Sequence, residues 1–173
     1  MNETYYSARS ESQSEIVINK SRFITTLVPI ADQNDAIEKV KIISKKYSDA
    51  THNCYAFISN KIATEQRFSD DGEPQGTAGI PMLEVLKKRR IYMTLAVVTR
   101  YFGGVKLGAN GLVGAYSRSV SEALNAADIV ENAYSEIVRV KCDYAYYKKV
   151  ESTLLDSGAE IDDILYDEKV TLI

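Results

Sequence analysis

A glycine-rich segment between residues 100 and 112 contains residue types that could bind an anion. It follows an apolar run, so the pattern predicts a strand, a glycine loop and then a helix with Asn110 as its N-cap. The first three turns of that helix contain no acid. Main-chain amides of a glycine loop and an uncompensated helix N-terminus bind anions such as phosphate. The candidate residues of this site are Arg100, Tyr101, Phe102, Gly103, Gly104, Lys106, Gly108, Asn110 and Gly111.

The glycines of this segment also have a purely structural interpretation. Glycine allows a strand-to-helix turn to pack closely without any ligand. The spacing matches neither Gly-x4-Gly-Lys-Ser/Thr nor Gly-x-Gly-x-x-Gly, the two common phosphate-binding loops. The sequence therefore leaves a general anion site and a structural turn open, and it argues against a nucleotide-hydrolysing enzyme.

The glycine segment lies in a window from Val85 to Ser121 that contains seven basic residues and no acid. The chain has a formal net charge of −3, so the residues outside the window carry −10. Basic side chains neutralise phosphates and aromatic rings stack on unpaired bases, so this mixture favours RNA or single-stranded nucleic acid. The run from 87 to 90, taken alone, is typical of a solvated helix end. Further candidate contacts in the window are Lys87, Lys88, Arg89, Arg90 and Arg118.

An alternative site lies in a loop from Ser69 to Gly79, where Asp70, Asp71 and Glu73 fall within four residues. Such carboxylates could coordinate a hard cation or supply general acid and base chemistry. Adjacent carboxylates in an extended loop point apart, however, and the spacing is not that of an EF-hand. Turn formation, helix capping or salt bridges to the basic residues of the glycine segment, Arg100 and Lys106, are therefore favoured.

His52 and Cys54 form a third candidate site, because residues two apart in a strand share a face. A thiol beside an imidazole could act as a nucleophilic pair. No third residue that would orient the histidine can be named, so a structural role is favoured. Cys142 is far away in sequence, and neither a zinc site, a disulfide nor a cofactor is predicted.

Hydrophobic periodicity predicts the elements that would position these residues. They are an opening hairpin over 14–30, a helix from Asp32 to Tyr47, a strand over 53–58, a loop over 69–79, a short helix with Pro81 at its first position, a strand over 94–99 and a helix from Asn110 to about Ala127. The strand over 94–99 is apolar without alternation, which favours a central strand covered on both faces.

A boundary is predicted at residues 126–132, which divides the chain into domains 1–131 and 132–173. The second part shows a β-α-β-β order, with a helix over 145–157 that ends at Gly158. This order is the first part of a split β-α-β sandwich, whose last helix and strand have no residues here. Either the second domain is abbreviated or the chain is a fragment, and the terminal Thr-Leu-Ile in mid-strand favours a fragment.

The 173 residues, of which 45% are hydrophobic, can bury one core, or one domain with a small second one. The longest apolar runs are far shorter than the roughly 20 residues that span a bilayer. The N-terminal residues lack the basic and apolar pattern of a secretory signal. We therefore expect a cytoplasmic protein without a membrane span.

Several motifs in this chain resemble the signature of the IMPACT family in its bacterial YigZ-like branch. They are Ser69-Asp-Asp-Gly-Glu-Pro-Gln-Gly-Thr-Ala-Gly79, Pro81-Met-Leu83, Arg100-Tyr-Phe-Gly-Gly-Val-Lys-Leu-Gly108, Gly111-Leu-Val113, His52-Asn-Cys54 and Lys20-Ser-Arg-Phe-Ile24. The resemblance covers about Ile16 to Ala127 closely and the rest loosely. Several long motifs in one order make it specific.

The resemblance implies an α+β fold. Its first domain would be similar to the superfold of a ribosomal small-subunit protein and elongation factor G domain IV, and its second to the ferredoxin-like domain V. This chain departs from the family pattern by lacking the final helix and strand. The family is linked to translational control, where eukaryotic members oppose a starvation-responsive kinase largely through a separate amino-terminal domain that these residues do not contain.

Three functions remain open. The leading expectation is a non-enzymatic protein that binds RNA or the ribosome through the Val85–Ser121 window. The alternative is an enzyme that acts on a phosphorylated or other anionic small molecule, with the glycine loop holding the anion and the acidic loop handling a metal or proton. An acidic loop that lines one cleft with the glycine loop would favour the enzyme. The third is a domain that binds an acidic protein partner.

Overall fold

The computed structural model describes residues 4–133 and 136–173. The chain divides after Ala133 into two compact units, and the described residues form sheets and four helices in an α+β fold. The elements of the first unit are β1 Tyr5–Ala8, β2 Ser12–Ile18, β3 Ser21–Pro29, α1 Gln33–Lys46, β4 His52–Ile58, β5 Gln66–Ser69, α2 Gly79–Lys88, β6 Thr94–Tyr101, α3 Gly108–Ala126 and β7 Ile129–Asn132.

Five strands of the first unit form one antiparallel sheet in the order β2-β3-β6-β4-β5. The predicted hairpin is confirmed as β2 and β3, whose two-residue turn places Asn19 at φ 45° and Lys20 at φ 66°. Positive φ at both positions is what a tight turn between twisted strands requires. The hairpin does not open the chain, however, because β1 precedes it and pairs with β7.

Helices cover both faces of the sheet at β6, which confirms the predicted central strand. Leu95 and Val97 pack on the face that α1 covers, while Ala96 and Val98 pack on the face that α2 and α3 cover. Side chains alternate between the faces of a strand, so a strand covered on both sides is apolar at every position. The two helices that begin near the candidate sites therefore share one side of the sheet.

Two predicted helix starts lie too late in the sequence, by two residues for α2 and by three for the N-cap of α3. Pro81 is the third residue of α2, since the helix begins at Gly79. Asn110 is the third residue of α3 and not its N-cap, a position that Leu107 takes. In each case the helix begins directly after the preceding loop. The N–H groups of its first turn have no intrahelical partner, whichever residues carry them. By contrast, α1 has its N-cap at Asp32, where its helix was predicted to start.

The second unit has the predicted β-α-β-β order. Its elements are β8 Val140–Cys142, α4 Tyr147–Asp156, β9 Ile164–Tyr166 and β10 Val170–Leu172. The central strand β10 runs antiparallel to both neighbours, so β8 and β9 are parallel to each other. Gly158 follows the helix at φ 84°, as predicted for a C-terminal glycine.

Candidate anion-binding cleft

A cleft of about 380 Å³ lies at the start of α3. Its lining comes from three segments: Thr51 and His52 before and at the start of β4, Glu73 and Pro74 of the acidic loop, and residues between 100 and 112. The acidic loop and the segment that follows β6 therefore share one cleft. A cleft that the acidic loop shares with the Gly103-Gly104 loop would favour an enzyme, and this condition is met only in part, because the residues on either side of these two glycines line the cleft but the glycines do not.

The first turn of α3 faces this cleft without any neutralising group. Leu107 makes no side-chain hydrogen bond as N-cap, and the first turn contains no acid. Gly108, which begins the helix at φ 72°, and Ala109 both line the cleft and are exposed. The positive end of a 19-residue helix is thus open to solvent at this point.

Lys106 and Phe102 add a cation and an aromatic ring to the same cleft. Lys106 is exposed and forms no ion pair within residues 4–133. Phe102 is 46% exposed. Tyr101 differs, because its hydroxyl donates to Asp49 at 2.8 Å and the Arg22 guanidinium lies 5.4 Å from its ring centre. Of the two predicted stacking residues, Phe102 alone lines the cleft.

A buried ion pair forms the floor of the cleft. Arg100 Nη1 donates to Glu73 Oε1 at 2.6 Å, and the two side chains are only 6% and 3% exposed. The same carboxylate oxygen accepts from the Tyr116 hydroxyl at 2.8 Å. Burial raises the pKa of that hydroxyl, so it remains a donor. The predicted salt bridge to Arg100 is confirmed, whereas its prediction as an exposed phosphate contact is wrong because burial and Glu73 already satisfy its charge.

Arg100 retains one donor without a partner. Its Nη2 donates to Ser21 Oγ at 3.3 Å, but its Nε is buried and has no hydrogen-bond partner among the described residues. The guanidinium carbon lies 5.6 Å from the ring centre of Phe102. A buried donor without an acceptor is costly, so this Nε lowers the net stabilisation that the ion pair gives.

His52 lies at the edge of this network. Its Nδ1 is 2.7 Å from the carbonyl oxygen of Asp71, which can only accept, so Nδ1 carries a proton. Its Nε2 lies 3.8 Å from Glu73 Oε2.

The three carboxylates of the acidic loop face different partners. Asp70 accepts from the main-chain N–H groups of Gly76, Ala78 and Gly79 at 2.8–3.0 Å, which caps α2. Asp71 accepts from the N–H of Asn53 at 2.6 Å, and Glu73 binds Arg100. The favoured capping role and the salt bridge to Arg100 are confirmed, the favoured salt bridge to Lys106 does not form among the described residues, and a shared cation site for these three is contradicted. Across residues 4–133 and 136–173, no three His, Cys, Asp or Glu side chains cluster as metal ligands.

Cys54 is fully buried beneath the cleft. Its Sγ lies 2.9 Å from the carbonyl oxygen of Asp70 and 3.3 Å from the Tyr116 hydroxyl. Burial raises the pKa of the thiol to about 12, so it carries no thiolate at neutral pH. The structure therefore supports the structural role for Cys54 that the sequence favoured over a nucleophilic pair with His52.

Of the four predicted glycines, Gly103 and Gly111 pack against other atoms of the protein, whereas Gly104 and Gly108 are open. A Cβ on Gly103 would overlap the main-chain carbonyl group of Lys20, and the Gly103 N–H donates to Ser21 Oγ at 3.2 Å. What approaches this glycine is therefore the hairpin turn of the protein itself, which contradicts an anion-binding role. Gly104, at φ 82°, is exposed with no atom within 4 Å of an added Cβ. Gly111 packs against the side chain of Leu107 inside the helix start.

Two basic side chains of the acid-free window form ion pairs with acids that lie just outside it. Lys87 pairs with Glu84 at 3.1 Å, and Arg118 pairs with Glu122 at 3.1 Å. Both acids lie just outside the window and one helical turn from their partners. Two of the predicted phosphate contacts are thus already paired in the free protein.

The structure also separates the basic run from the cleft. The Arg89 guanidinium donates to Asn125 Oδ1 at 2.6 Å, near the end of α3, whereas Lys106 precedes its start. A helix of this length spans about 28 Å. Lys88 and Arg90 are also exposed, and Lys88 lies beside Val113 and Ser117 in the first half of α3, outside the lining of the cleft. The predicted single surface is therefore two separate basic regions.

Thr51, Pro74 and Ser21 contribute to this region but were not among the predicted site residues. Tyr116 was not predicted to join the site either, and it lies on the buried face of α3. A tyrosine hydroxyl needs a partner when it is buried, and that was the available signal for the network with Glu73.

Within the described residues, no helix combines the length and the apolar character needed to cross a bilayer.

These features define a class of protein: an α+β unit with an uncapped helix start beside a buried arginine–glutamate pair. The chain belongs to the IMPACT family, because residues 19–124 match the Impact N-terminal domain. It is 47% identical over 167 residues to the IMPACT family member YvyE of Bacillus subtilis (strain 168), covering 96% of this chain and 77% of that protein. These matches confirm the resemblance inferred from the motifs.

Two further comparisons agree with that membership. The IMPACT family member YigZ of Escherichia coli (strain K12) is 36% identical over 157 residues, covering 90% of this chain and 77% of that protein. A crystal structure described as that of a hypothetical protein superposes with a TM-score of 0.72 at 32% identity, covering 99% of this chain and 84% of the other.

Proposed function

We propose that this protein is a non-enzymatic, cytoplasmic RNA-binding module that acts in translation or on the ribosome. The observation that carries the proposal is the uncapped start of α3, which opens into a cleft beside Lys106 and the exposed ring of Phe102. Helix-start amides and a lysine neutralise phosphate, and an aromatic ring stacks on an unpaired base. This combination suits single-stranded RNA better than a duplex, whose bases are already stacked.

The translational setting rests on the family. The resemblance to the IMPACT family implies a link with translational control, and the implied likeness to ribosomal and elongation-factor domains supports it as fold-level analogy.

The exposed side chains of Lys88 and Arg90 offer a second contact. Neither forms an ion pair within the described residues. Since neither residue lines the cleft, a strand longer than a mononucleotide is needed to contact the cleft and these side chains together. The affinity for RNA should therefore rise with the length of the oligonucleotide.

The test is the binding of a labelled single-stranded RNA, followed by fluorescence anisotropy across a salt series. Lys106→Ala should weaken binding and flatten the plot of log affinity against log salt by about 0.7, the contribution of one phosphate contact on a single strand. Lys41→Ala is the matched control, because Lys41 is exposed on α1, across the sheet from the cleft. Absence of binding at low salt would overturn the proposal, and a nuclease-resistant association with an acidic protein would replace it.

A second candidate is an enzyme that acts on a phosphorylated or other anionic small molecule. It is favoured by one observation: Glu73 and His52 line the same cleft as Lys106 and the start of α3. An imidazole with a fixed Nδ1–H beside a carboxylate is a competent acid or base. Incubation with a panel of phosphorylated compounds, with chromatographic detection of products, tests it. Conversion that disappears in His52→Gln would establish the enzyme, and absence of conversion would remove it.

A further inference from the structure

The two edges of the five-stranded sheet differ in how well they are protected from pairing with another strand. Natural proteins keep edge strands short or place charged side chains, prolines or bulges on them. The edge strand β5 has only four residues and carries Arg67. The opposite edge, β2, has seven residues, contains no lysine, arginine or proline, and pairs with β3 without a bulge. It is therefore a long edge that lacks the usual protection.

The register of β2 shows which of its main-chain groups are available at this edge. Ile18 and Ser21 flank the two-residue turn, so they form a hydrogen-bonded pair. Alternate residues of β2 then bond to β3, and the N–H and C=O groups of Gln13, Glu15 and Val17 point away from the sheet. Among the described strands, β2 pairs with β3 alone. This row of donors and acceptors fits an extended strand.

The side chains along the edge suit a second copy of the same strand. Glu15 is paired with Arg22 of β3 at 2.9–3.0 Å, so the charges along the edge are balanced. An antiparallel pair with its two-fold axis at Ile16 would place Glu15 of each copy opposite Val17 of the other. Val17 is 61% exposed and lies opposite Arg22 on the same face of the sheet. The carboxylate of each copy would therefore approach the arginine of the other, and the two Ile16 side chains would form a cross-strand pair.

The helix layer gives a second copy an advantage over an isolated peptide strand. Helix α3 packs on both β2 and β3. Neighbouring strands lie about 4.8 Å apart, so the α3 axes of two paired copies would lie roughly 10 Å apart. This is close to the distance at which helices pack against each other. Pairing with a second copy would thus bury helix surface that a peptide strand would leave exposed.

We infer that two copies of this protein associate through antiparallel pairing of their β2 strands, which joins their two sheets into one. The interface consists of one pair of strands and the adjoining surfaces of α3, so it lies at the small end of specific interfaces. The association is therefore weak, with a dissociation constant in about the micromolar range. It goes beyond the proposed function and does not depend on the cleft.

Sedimentation equilibrium of the full chain, from about 1 μM to 1 mM, tests the association. The average mass should rise toward twice the monomer mass. Val17→Glu should weaken the association about tenfold, because the symmetry sets two like-charge pairs against Glu15. Val17→Lys, which offers Glu15 an opposite charge, should preserve or strengthen it. Ile42→Glu is the matched control, since Ile42 is 64% exposed on α1, and it should change nothing.

Hydrogen exchange of the main-chain amides locates the interface. The amides of Gln13, Glu15 and Val17 should exchange more slowly as the protein concentration rises. Those of Ser14 and Ile16, which already bond to β3, should be protected throughout. A monomer at every concentration, or association without this added protection, would overturn the inference. Equal weakening by Val17→Glu and Val17→Lys would also overturn it, because the pairing requires the two charges to act in opposite directions.

Discussion

The first turns of α2 and α3 lie on the same side of the sheet but differ in what neutralises them. At α2, the Asp70 carboxylate accepts hydrogen bonds from three main-chain N–H groups at 2.8–3.0 Å. The anion that neutralises this helix start is therefore a side chain of the protein itself. At α3, no side chain caps the helix and no acid lies in the first turn. One helix start is therefore closed by an internal carboxylate, while its neighbour is left open in a cleft. The contrast suggests that the open terminus is kept free for an external anion.

The acidic loop contributes to both helix starts. Its Asp70 caps α2, and its Glu73 lines the cleft at the start of α3. Glu73→Gln should lower the free energy of unfolding by about 3–5 kcal/mol, because it leaves Arg100 charged and buried without its counterion. Urea denaturation measures this change. Glu122→Gln, which removes the exposed partner of Arg118, should change stability by less than about 0.5 kcal/mol. Similar losses for both variants would mean that the cleft has no rigid ionic floor.

The Asp70 cap of α2 can be removed by one substitution. Asp70→Ala should destabilise the protein by about 2–3 kcal/mol, because three N–H groups lose an ionised acceptor. Asp32→Ala, which removes the N-cap of α1 and two hydrogen bonds, should cost about 1 kcal/mol. Asn110→Ala should cost almost nothing, since Asn110 is not the cap of α3. Urea midpoints of the three variants test the ranking, and a cost for Asn110→Ala equal to that for Asp32→Ala would contradict the description of α3 as uncapped.

The parts of this contrast that the sequence predicted are the local ones. The strand over 94–99 is apolar at its four central positions because helices cover both of its faces, and that pattern is visible in one short segment. The capping and salt-bridge roles of the acidic loop followed from the geometry of adjacent carboxylates. The pairs Glu84–Lys87 and Arg118–Glu122 could also have been read from helical spacing, had the window been extended by one turn at each end.

The remaining features depend on contacts that sequence spacing does not encode. Glu73 and Arg100 are 27 residues apart, and only the pairing of β4 with β6 brings His52 opposite Arg100. Gly103 was predicted to receive a ligand, but its close neighbour is the turn at Lys20, more than 80 residues earlier. Helix starts were placed at the best capping residue, yet α3 begins two residues before Asn110. Tertiary packing, which pattern analysis does not see, decided each of these.

The smallest predicted effect isolates the charge at each helix start. Asn110→Asp should raise the free energy of unfolding by about 0.5 kcal/mol, because a carboxylate then faces the positive end of α3. At α2, whose terminus Asp70 already neutralises, the matched difference between Ile80→Asp and Ile80→Asn should be zero or unfavourable, since the added charge meets an existing one. Urea midpoints at low and high salt measure both differences, and the gain at residue 110 should shrink as salt screens it. An equal gain at both helices would mean that the Asp70 carboxylate leaves α2 as open to an anion as α3.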